Sequence, residues 1–493
     1  MTLCYALLWK PPRLSRAPNR PASARSTLFP PGRPPYKRRR RPAGQQHSRR
    51  NVLNVRLVWR HLVQDVHGLC RMFQTFVSAV GARFFSDAAL FTLLIAAPVV
   101  VIYSSRALPT VLLFALLFTM LYGFAVSFEG RGMSVREGTK FALNPASLPY
   151  WALSVLALIL YAGASAFWAI EPEFAADQAI KMLITFVIVV VLLRLMPPLD
   201  EDRLRYTAPF GIALAATILI VELGTSGVLR SYFYGANPAY LNRSVVTVSL
   251  LMWPALAVTT GRFATLQKVG VLALVVCAVA VSSSLASLFA IAAGLFVLAL
   301  AYISNRLAAF GVVAVTAAAF VAMPMTAKLI SDLAIETGVD TMVDMSTERR
   351  LEIWEAFSRA ALEHPVFGWG LEASRYFGLR ELPGVTWTIG PVHHPHNPIL
   401  QIWVELGAIG VLLAAIAMIG IILGIGRMPA ARRPYAYGAA AATLAISMVS
   451  HGAWQTWWIS LLMLLVALFN IREEYPGARG AGGREAATPA SSD

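Results

Sequence analysis

Stretches of about seventeen or more predominantly apolar residues recur along this 493-residue chain, separated by short polar segments. An α-helix rises about 1.5 Å per residue, so runs of that length match the roughly 30 Å of hydrocarbon in a bilayer. They predict twelve spans, at approximately 88–104, 108–127, 149–169, 177–196, 207–223, 244–260, 267–282, 284–302, 308–325, 399–423, 434–450 and 454–470. Composition agrees, with 57% hydrophobic and only 14% charged residues, where a soluble domain carries about 25% charged. The expected fold is an all-α, polytopic transmembrane protein. The run from Val271 to Tyr302 is too long for one span, and the serines at 282–284 offer its one turning point, as a tight hairpin or a broken helix.

The net charge of +16 is a property of one end. Residues 1–80 hold sixteen Lys or Arg, including Lys37 to Arg41, against the single acid Asp65. The body is nearly neutral, so the basicity does not point to a nucleic-acid partner. Pro, Arg and Ser dominate residues 11–50, a composition that buries too little apolar surface to offset chain ordering. The arm at 1–80 reads as disordered and cytoplasmic, held by anionic membrane lipids at about 1 kcal/mol per near-surface cation. Nucleic-acid binding and a start at Met72 are the alternatives. Residues 1–9 lack the charge order and cleavage signal of a secretory leader.

Three further units follow: a transmembrane domain at 88–470, a large outer loop at 326–398 within it, and a disordered cytoplasmic tail at 471–493. Inner loops carry Arg131, Arg136 and Lys140, then Arg203 and Arg205, Arg262 and Lys268, Arg306, and Arg427, Arg432 and Arg433. The outer loops are poorer in bases, which puts both termini inside. Cys4, Cys70 and Cys277 are too scattered for a disulfide framework or a metal site.

Seventy residues between the ninth and tenth spans exceed what a connection needs. Ser346 or Thr347 caps a predicted helix running to about Leu362, with Leu351, Trp354 and Phe357 as an apolar stripe and Pro365 ending it. It is too charged to span and is expected to roof the bundle. VFGWG at 366–370 is a glycine turn that permits close backbone approach. Trp354, Trp369, Trp387, Trp403, Trp454, Trp457 and Trp458 are expected chiefly as interface anchors.

Outside the arm, the histidines His364, His393, His394, His396 and His451 all fall at the outer face. Three crowd into VHHPHN, just before the tenth span. On that helix Asn397, Gln401 and Glu405 share a face at four-residue spacing. A carboxylate at the membrane rim is paired or faces a cavity, and Arg230, Arg243 and Arg350 are the arginines available to Glu405. A histidine with two or three arginines suits acid–base and phosphate chemistry. The dull readings are a structural Glu–Arg pair and a merely wetted loop. Zinc fits poorly on His393, His394 and His396, because adjacent residues bite a metal badly and no Cys or Asp joins them.

HPHNPILQIWVELGAIG at His394 to Gly410, preceded by RRLEIWEAFSRAALEHPVFGWG at Arg349 to Gly370, resembles the signature region of the O-antigen ligase and polymerase superfamily. LNRSVVTVSLLMWP at Leu241 to Pro254 is similar to that family's arginine-bearing sixth span. The resemblance implies a bacterial inner-membrane enzyme whose site faces the periplasm and which needs no metal or cofactor. It implies transfer of a glycan from undecaprenyl diphosphate to lipid A-core oligosaccharide, with inversion, or to another lipid-linked glycan in a polymerase. It implies His396 or His394 as catalytic groups and Arg243 and Arg350 as diphosphate ligands. Asn397 and Gln401 are candidates for sugar hydroxyls, and Glu405 for an orienting or structural role. Many relatives carry an arginine after the serines of the seventh-to-eighth turn; here Leu285 stands in SSSLAS, and Arg230 is the candidate replacement. A transporter or flippase is the competing class. It fits the span count, but no repeated half and few deep charges support it.

Overall fold

A computed structural model describes residues 71–128, 144, 148–196, 199–232, 241–282, 284–337, 345–379, 390–471 and 473–474. Most of the basic arm, the loop with Arg131, Arg136 and Lys140, Trp387, the side chains of Ser346 and Thr347, and nearly all of the tail lie outside them. Residues 71–80, expected within a structureless arm, are helical, and Val77 packs with Phe85 and Phe124.

The chain is an all-α, multi-pass membrane protein. Among the described residues ten helices are long and apolar enough to cross a bilayer, where twelve were expected. In chain order the elements are α1 (Ala82–Tyr103), α2 (Leu108–Phe128), α3 (Tyr150–Ala164), α4 (Pro172–Leu195), α5 (Glu201–Gly224), α6 (Leu241–Val258) and α7 (Ala264–Ser282). Then come α8 (Leu285–Ile303), α9 (Asn305–Thr337), α10 (Met345–Glu363), α11 (Pro398–Ile425), α12 (Arg433–Val449) and α13 (Thr456–Phe469). The last two occur where spans eleven and twelve were expected. With 17 and 14 residues they reach about 26 and 21 Å, short of the roughly 30 Å of hydrocarbon. The serine cluster separates α7 from α8, as two helices rather than one.

α6 is the central pillar, with every residue from Ser244 to Val258 buried. Its Trp253 ring fills the space between α8 and α12. A Cβ added at Gly294 would come within 2.2 Å of that ring, and one at Gly438 within 2.7 Å. Small residues at such crossings let membrane helices approach closely where lipid removes the usual hydrophobic drive.

α9 runs past its expected end at 325 to Thr337, helped by an i,i+4 pair between Lys328 and Asp332 at 2.8 Å. The large connecting segment therefore begins after Thr337. Within it α10 packs on α9 and α11, burying Leu351, Ile353, Phe357, Ala360 and Ala361.

α11 is broken. Gly407 has φ 60° and ψ −163° inside it, and the freed backbone is taken up by the glycine turn that follows α10. Trp369 and Gly370 donate to the carbonyls of Val404 and Glu405 at 2.9 and 2.8 Å, and Ala408 donates to that of Pro365 at 2.8 Å. A Cβ on Gly368 would stand 2.3 Å from the Glu405 carbonyl carbon, and one on Gly407 2.4 Å from Val366. Both glycines also hold positive φ. The close approach that VFGWG permits is thus made to the tenth span itself, and a break at membrane depth survives because protein covers it.

Candidate active site

The HPHN segment enters α11 through a cap. The side-chain oxygen of Asn397 accepts from the Leu400 N–H at 3.0 Å, and Pro398 opens the helix with no amide to satisfy. The Asn397 amide also reaches the Met323 sulfur at 3.1 Å. Gln401 donates to Glu405 at 2.8 Å and accepts from the Ala453 N–H at 2.8 Å. Both residues are almost fully buried. In this structure their polar atoms are engaged within the fold.

Glu405 is fully buried, yet no arginine pairs with it among the described residues. Its carboxylate accepts from the Gln401 amide, from the Trp454 indole at 2.7 Å and from the Glu372 backbone N–H. Neutral donors supply what a guanidinium was expected to supply, because the break in α11 brings the 370–372 backbone within reach. This carboxylate ties together α11, the segment after the glycine turn and the turn between α12 and α13. The tryptophans follow the same logic. Trp354, Trp369, Trp403, Trp454 and Trp457 each donate their indole N–H inside the protein, to Pro395, Ala360, Phe320, Glu405 and Gln455 respectively. Rings expected as interface anchors are internal struts.

Three imidazoles gather here. The rings of His394 and His396 lie 4.4 Å apart. Gly452 backs onto His394, where a Cβ would come 3.0 Å from the ring, and so brings His451 into the group. The His396 backbone N–H lies 3.2 Å from Nδ1 of His394, and the Gln455 amide nitrogen 2.9 Å from its Nε2. A neutral imidazole accepts at one nitrogen only, so the tautomer decides which of the two contacts is a hydrogen bond. The Gln455 oxygen accepts from Trp457 at 2.7 Å.

Arginines surround the imidazoles. Trp354 pins α10 to the Pro395 carbonyl at 3.0 Å, and Arg350, one turn earlier on α10, acts on His396 and His451. Arg243, in the first turn of α6, lies over the Trp457 ring at 5.6 Å and acts on His394 and His451. Arg375 pairs with Glu372 and acts on His394. Burial first, then His396, Arg375, Arg243 and His393, push His394 down to about 3. Burial and Arg350 bring His396 to about 4, and burial followed by Arg243, His394, His396 and Arg350 brings His451 to about 3. All three are unprotonated at neutral pH, and each keeps a lone pair.

Of the sequence candidates, His394, His396, Arg243 and Arg350 come together, and Arg230 does not join them. Its backbone N–H lies 3.2 Å from both Glu222 carboxylate oxygens, and its guanidinium reaches the Ile102 carbonyl at 3.2 Å. Leu285, at the family's arginine position, is exposed. The third cation is Arg375, which sequence reasoning passed over because it sits in no motif. His451, expected at the outer face but not among the catalytic candidates, joins the group; its scarcity as a residue type and its neighbours Trp454 and Trp457 were the available signals. No group of three His, Cys, Asp or Glu suited to a metal occurs among the described residues.

An apolar crevice of about 300 Å³ lies among α3, α11, α12 and α13, with Pro398 at the head of α11 and Trp454 of the α12–α13 turn in its lining. It runs from Pro398 and Trp454 past Ile402 and Ala417 to Ile425 and Phe469.

The family model described as O-Antigen ligase matches residues 270–415. A protein of Rickettsia conorii, provisionally described as a polysaccharide ligase, is 26% identical over 322 residues, covering 62% of this chain and 77% of its own. One from Rickettsia felis with the same description is 26% identical over 322 residues, with 62% and 78% covered. Another, from Rickettsia bellii, is 26% identical over 381 residues, with 72% and 91% covered.

Proposed function

We propose, since this chain belongs to the superfamily of O-antigen ligases and related polysaccharide ligases, that it transfers a glycan from undecaprenyl diphosphate to a hydroxyl of lipid A-core oligosaccharide on the periplasmic side of the inner membrane. The carrying observation is the convergence of Arg243, Arg350 and Arg375 on three unprotonated imidazoles, with Pro398 and Trp454, close in the chain to His396 and His451, lining an apolar crevice. Cations gathered about neutral imidazoles suit an anion, and the crevice suits the isoprenoid attached to it.

The reaction is a single displacement. The acceptor oxygen attacks the anomeric carbon, the bond from that carbon to the diphosphate oxygen breaks, and configuration inverts. Guanidinium groups hold the departing diphosphate through charge-assisted, paired hydrogen bonds. Contacts that strengthen as charge develops are worth about 10²–10³ in rate. His396 takes the acceptor's proton. His394, as the tautomer with its proton on Nε2, accepts the His396 backbone N–H at Nδ1 and holds that backbone in place. Burial and then Arg350 weaken His396 as a base in the empty protein; the diphosphate offsets the charge of Arg350, so donor binding raises the proton affinity of His396.

The test is transfer by purified protein from an undecaprenyl-diphosphate-linked oligosaccharide to lipid A-core or to a second lipid-linked glycan, for wild type, His396→Ala and Arg350→Ala. Product on lipid A-core, reduced at least about 10²-fold in both folded variants, supports the reading. Chain lengthening on the second donor replaces ligase by polymerase. Product surviving both substitutions removes the site assignment.

A further inference from the structure

His451 carries two unfavourable features at once. Its backbone has φ 63°, a left-handed conformation that residues with a Cβ adopt only at a cost. Its ring is more than nine-tenths buried, and Nε2 has no hydrogen-bond partner among the described residues. A buried polar atom without a partner is expensive, and the two costs falling on one side chain ask for a compensating role.

The surroundings say of what kind. The ring lies edge-on to Trp457 at 4.7 Å, and Arg243 lies over the same indole. The charged and titratable groups acting on His451 are Arg243, His394, His396 and Arg350. Two of these are cations and none is an acid. The turn is held from three directions: by the Ala453 N–H on Gln401, the Trp454 indole on Glu405 and the Gln455 amide on His394. The scaffold thus fixes the position of an imidazole that it does not itself bind.

We infer that His451 is a substrate-contacting residue whose Nε2–H donates to an oxygen of the donor's diphosphate, completing with Arg243 and Arg350 a cradle drawn from α6, α10 and the α12–α13 turn. The inference rests on the proposed polyprenyl diphosphate donor and adds to it a contact outside the residues matched by the family model. A neutral imidazole gives one directed hydrogen bond, which orients the diphosphate where guanidinium groups alone attract it.

The experiment uses the full chain in detergent and titrates undecaprenyl diphosphate, undecaprenol and phosphatidylglycerol separately, reading intrinsic fluorescence. His451→Gly removes the ring and suits the positive φ, so the variant is expected to melt no lower than wild type. Its Kd for undecaprenyl diphosphate rises tenfold or more, its Kd for undecaprenol changes less than twofold, and added imidazole restores part of the diphosphate affinity. A diphosphate Kd within twofold of wild type overturns the inference, as does an equal loss for undecaprenol. Loss confined to phosphatidylglycerol overturns it too, by making the site one for bilayer headgroups. Should His451→Gly fail to fold, His451→Asn is read by the same criteria, since Asn tolerates the left-handed region and is too short to reach the Nε2 position. If wild type itself does not bind undecaprenyl diphosphate, the proposed function falls and this inference with it; a defect absent only from the variant comparison sinks the inference alone.

Discussion

Left-handed backbone occurs in two neighbouring regions and is handled in opposite ways. Where the turn after α10 closes on the break in α11, the positions with positive φ are Gly368, Gly370 and Gly407, and a Cβ at any of them would sit within 2.4 Å of backbone. Where the turns carry the histidine cluster, the positions are His396, His451 and Glu372. Glycine serves where backbone must touch backbone. Side chains are kept, against conformational preference, where something other than packing needs them.

The comparison is broken most severely at the glycines. Gly368→Ala and Gly407→Ala add both a clash and a strained φ, and are expected to cost at least about 3 kcal/mol and to abolish a monodisperse, cooperatively melting protein. A thermal melt in detergent checks this; wild-type behaviour from either would show the contact to be dispensable. His396→Gly sharpens the contrast from the other side. It removes a base and relieves strain, so transfer falls at least about 10²-fold while the melting midpoint holds or rises. Arg350→Lys keeps charge and loses the paired donors, for a loss of about tenfold in kcat with the fold intact.

Acidity probes the same region without mutation. The three imidazoles have folded pKa values of about 3 to 4, against about 6.5 when unfolded. Between those values the unfolded chain binds more protons, so the stability from keeping these rings neutral is present above about pH 6.5 and is lost as pH falls toward 4. The melting midpoint should decline across that window, and less steeply in His451→Gly. In kinetics, kcat/KM, which reports the free enzyme, should show no imidazole limb near 6.5, whereas the acid limb of kcat should lie higher, because bound diphosphate raises His396. Trp354→Phe is the mildest change. It strands the Pro395 carbonyl, costs about 1 kcal/mol, and is expected to lower transfer a few-fold by letting α10 and Arg350 drift.

Most span positions were legible because a bilayer demands long apolar runs, and the sequence has them. The two terminal helices were legible as well, since Arg433–Val449 and Thr456–Phe469 lie within about two residues of the expected spans. In the site, HPHN and LNRS stood out as local patterns, and both were brought together. Arg375 stood in no pattern; its place is set by a glycine turn docking on a broken helix, a long-range event that residue spacing does not encode. Glu405 was read as an arginine partner for the same reason. The four-residue rhythm with Gln401 was visible, but the backbone N–H of Glu372 and the indole of Trp454 arrive from segments 33 and 49 residues away. Arg230, read as a replacement for the arginine that Leu285 displaces, has its backbone N–H on Glu222 and its guanidinium on the Ile102 carbonyl, contacts that its position in the sequence does not announce.

The cluster takes Arg243 from α6, Arg350 from α10, His396 from the head of α11 and His451 from the turn before the final helix. A ribosome delivers these in that order, and the closing struts from Trp454, Gln455 and Trp457 come last. Until the turn before α13 is in place, Glu405 lacks its Trp454 donor and His394 its Gln455 contact, so a shorter nascent chain has its arginines before all the struts around the imidazoles.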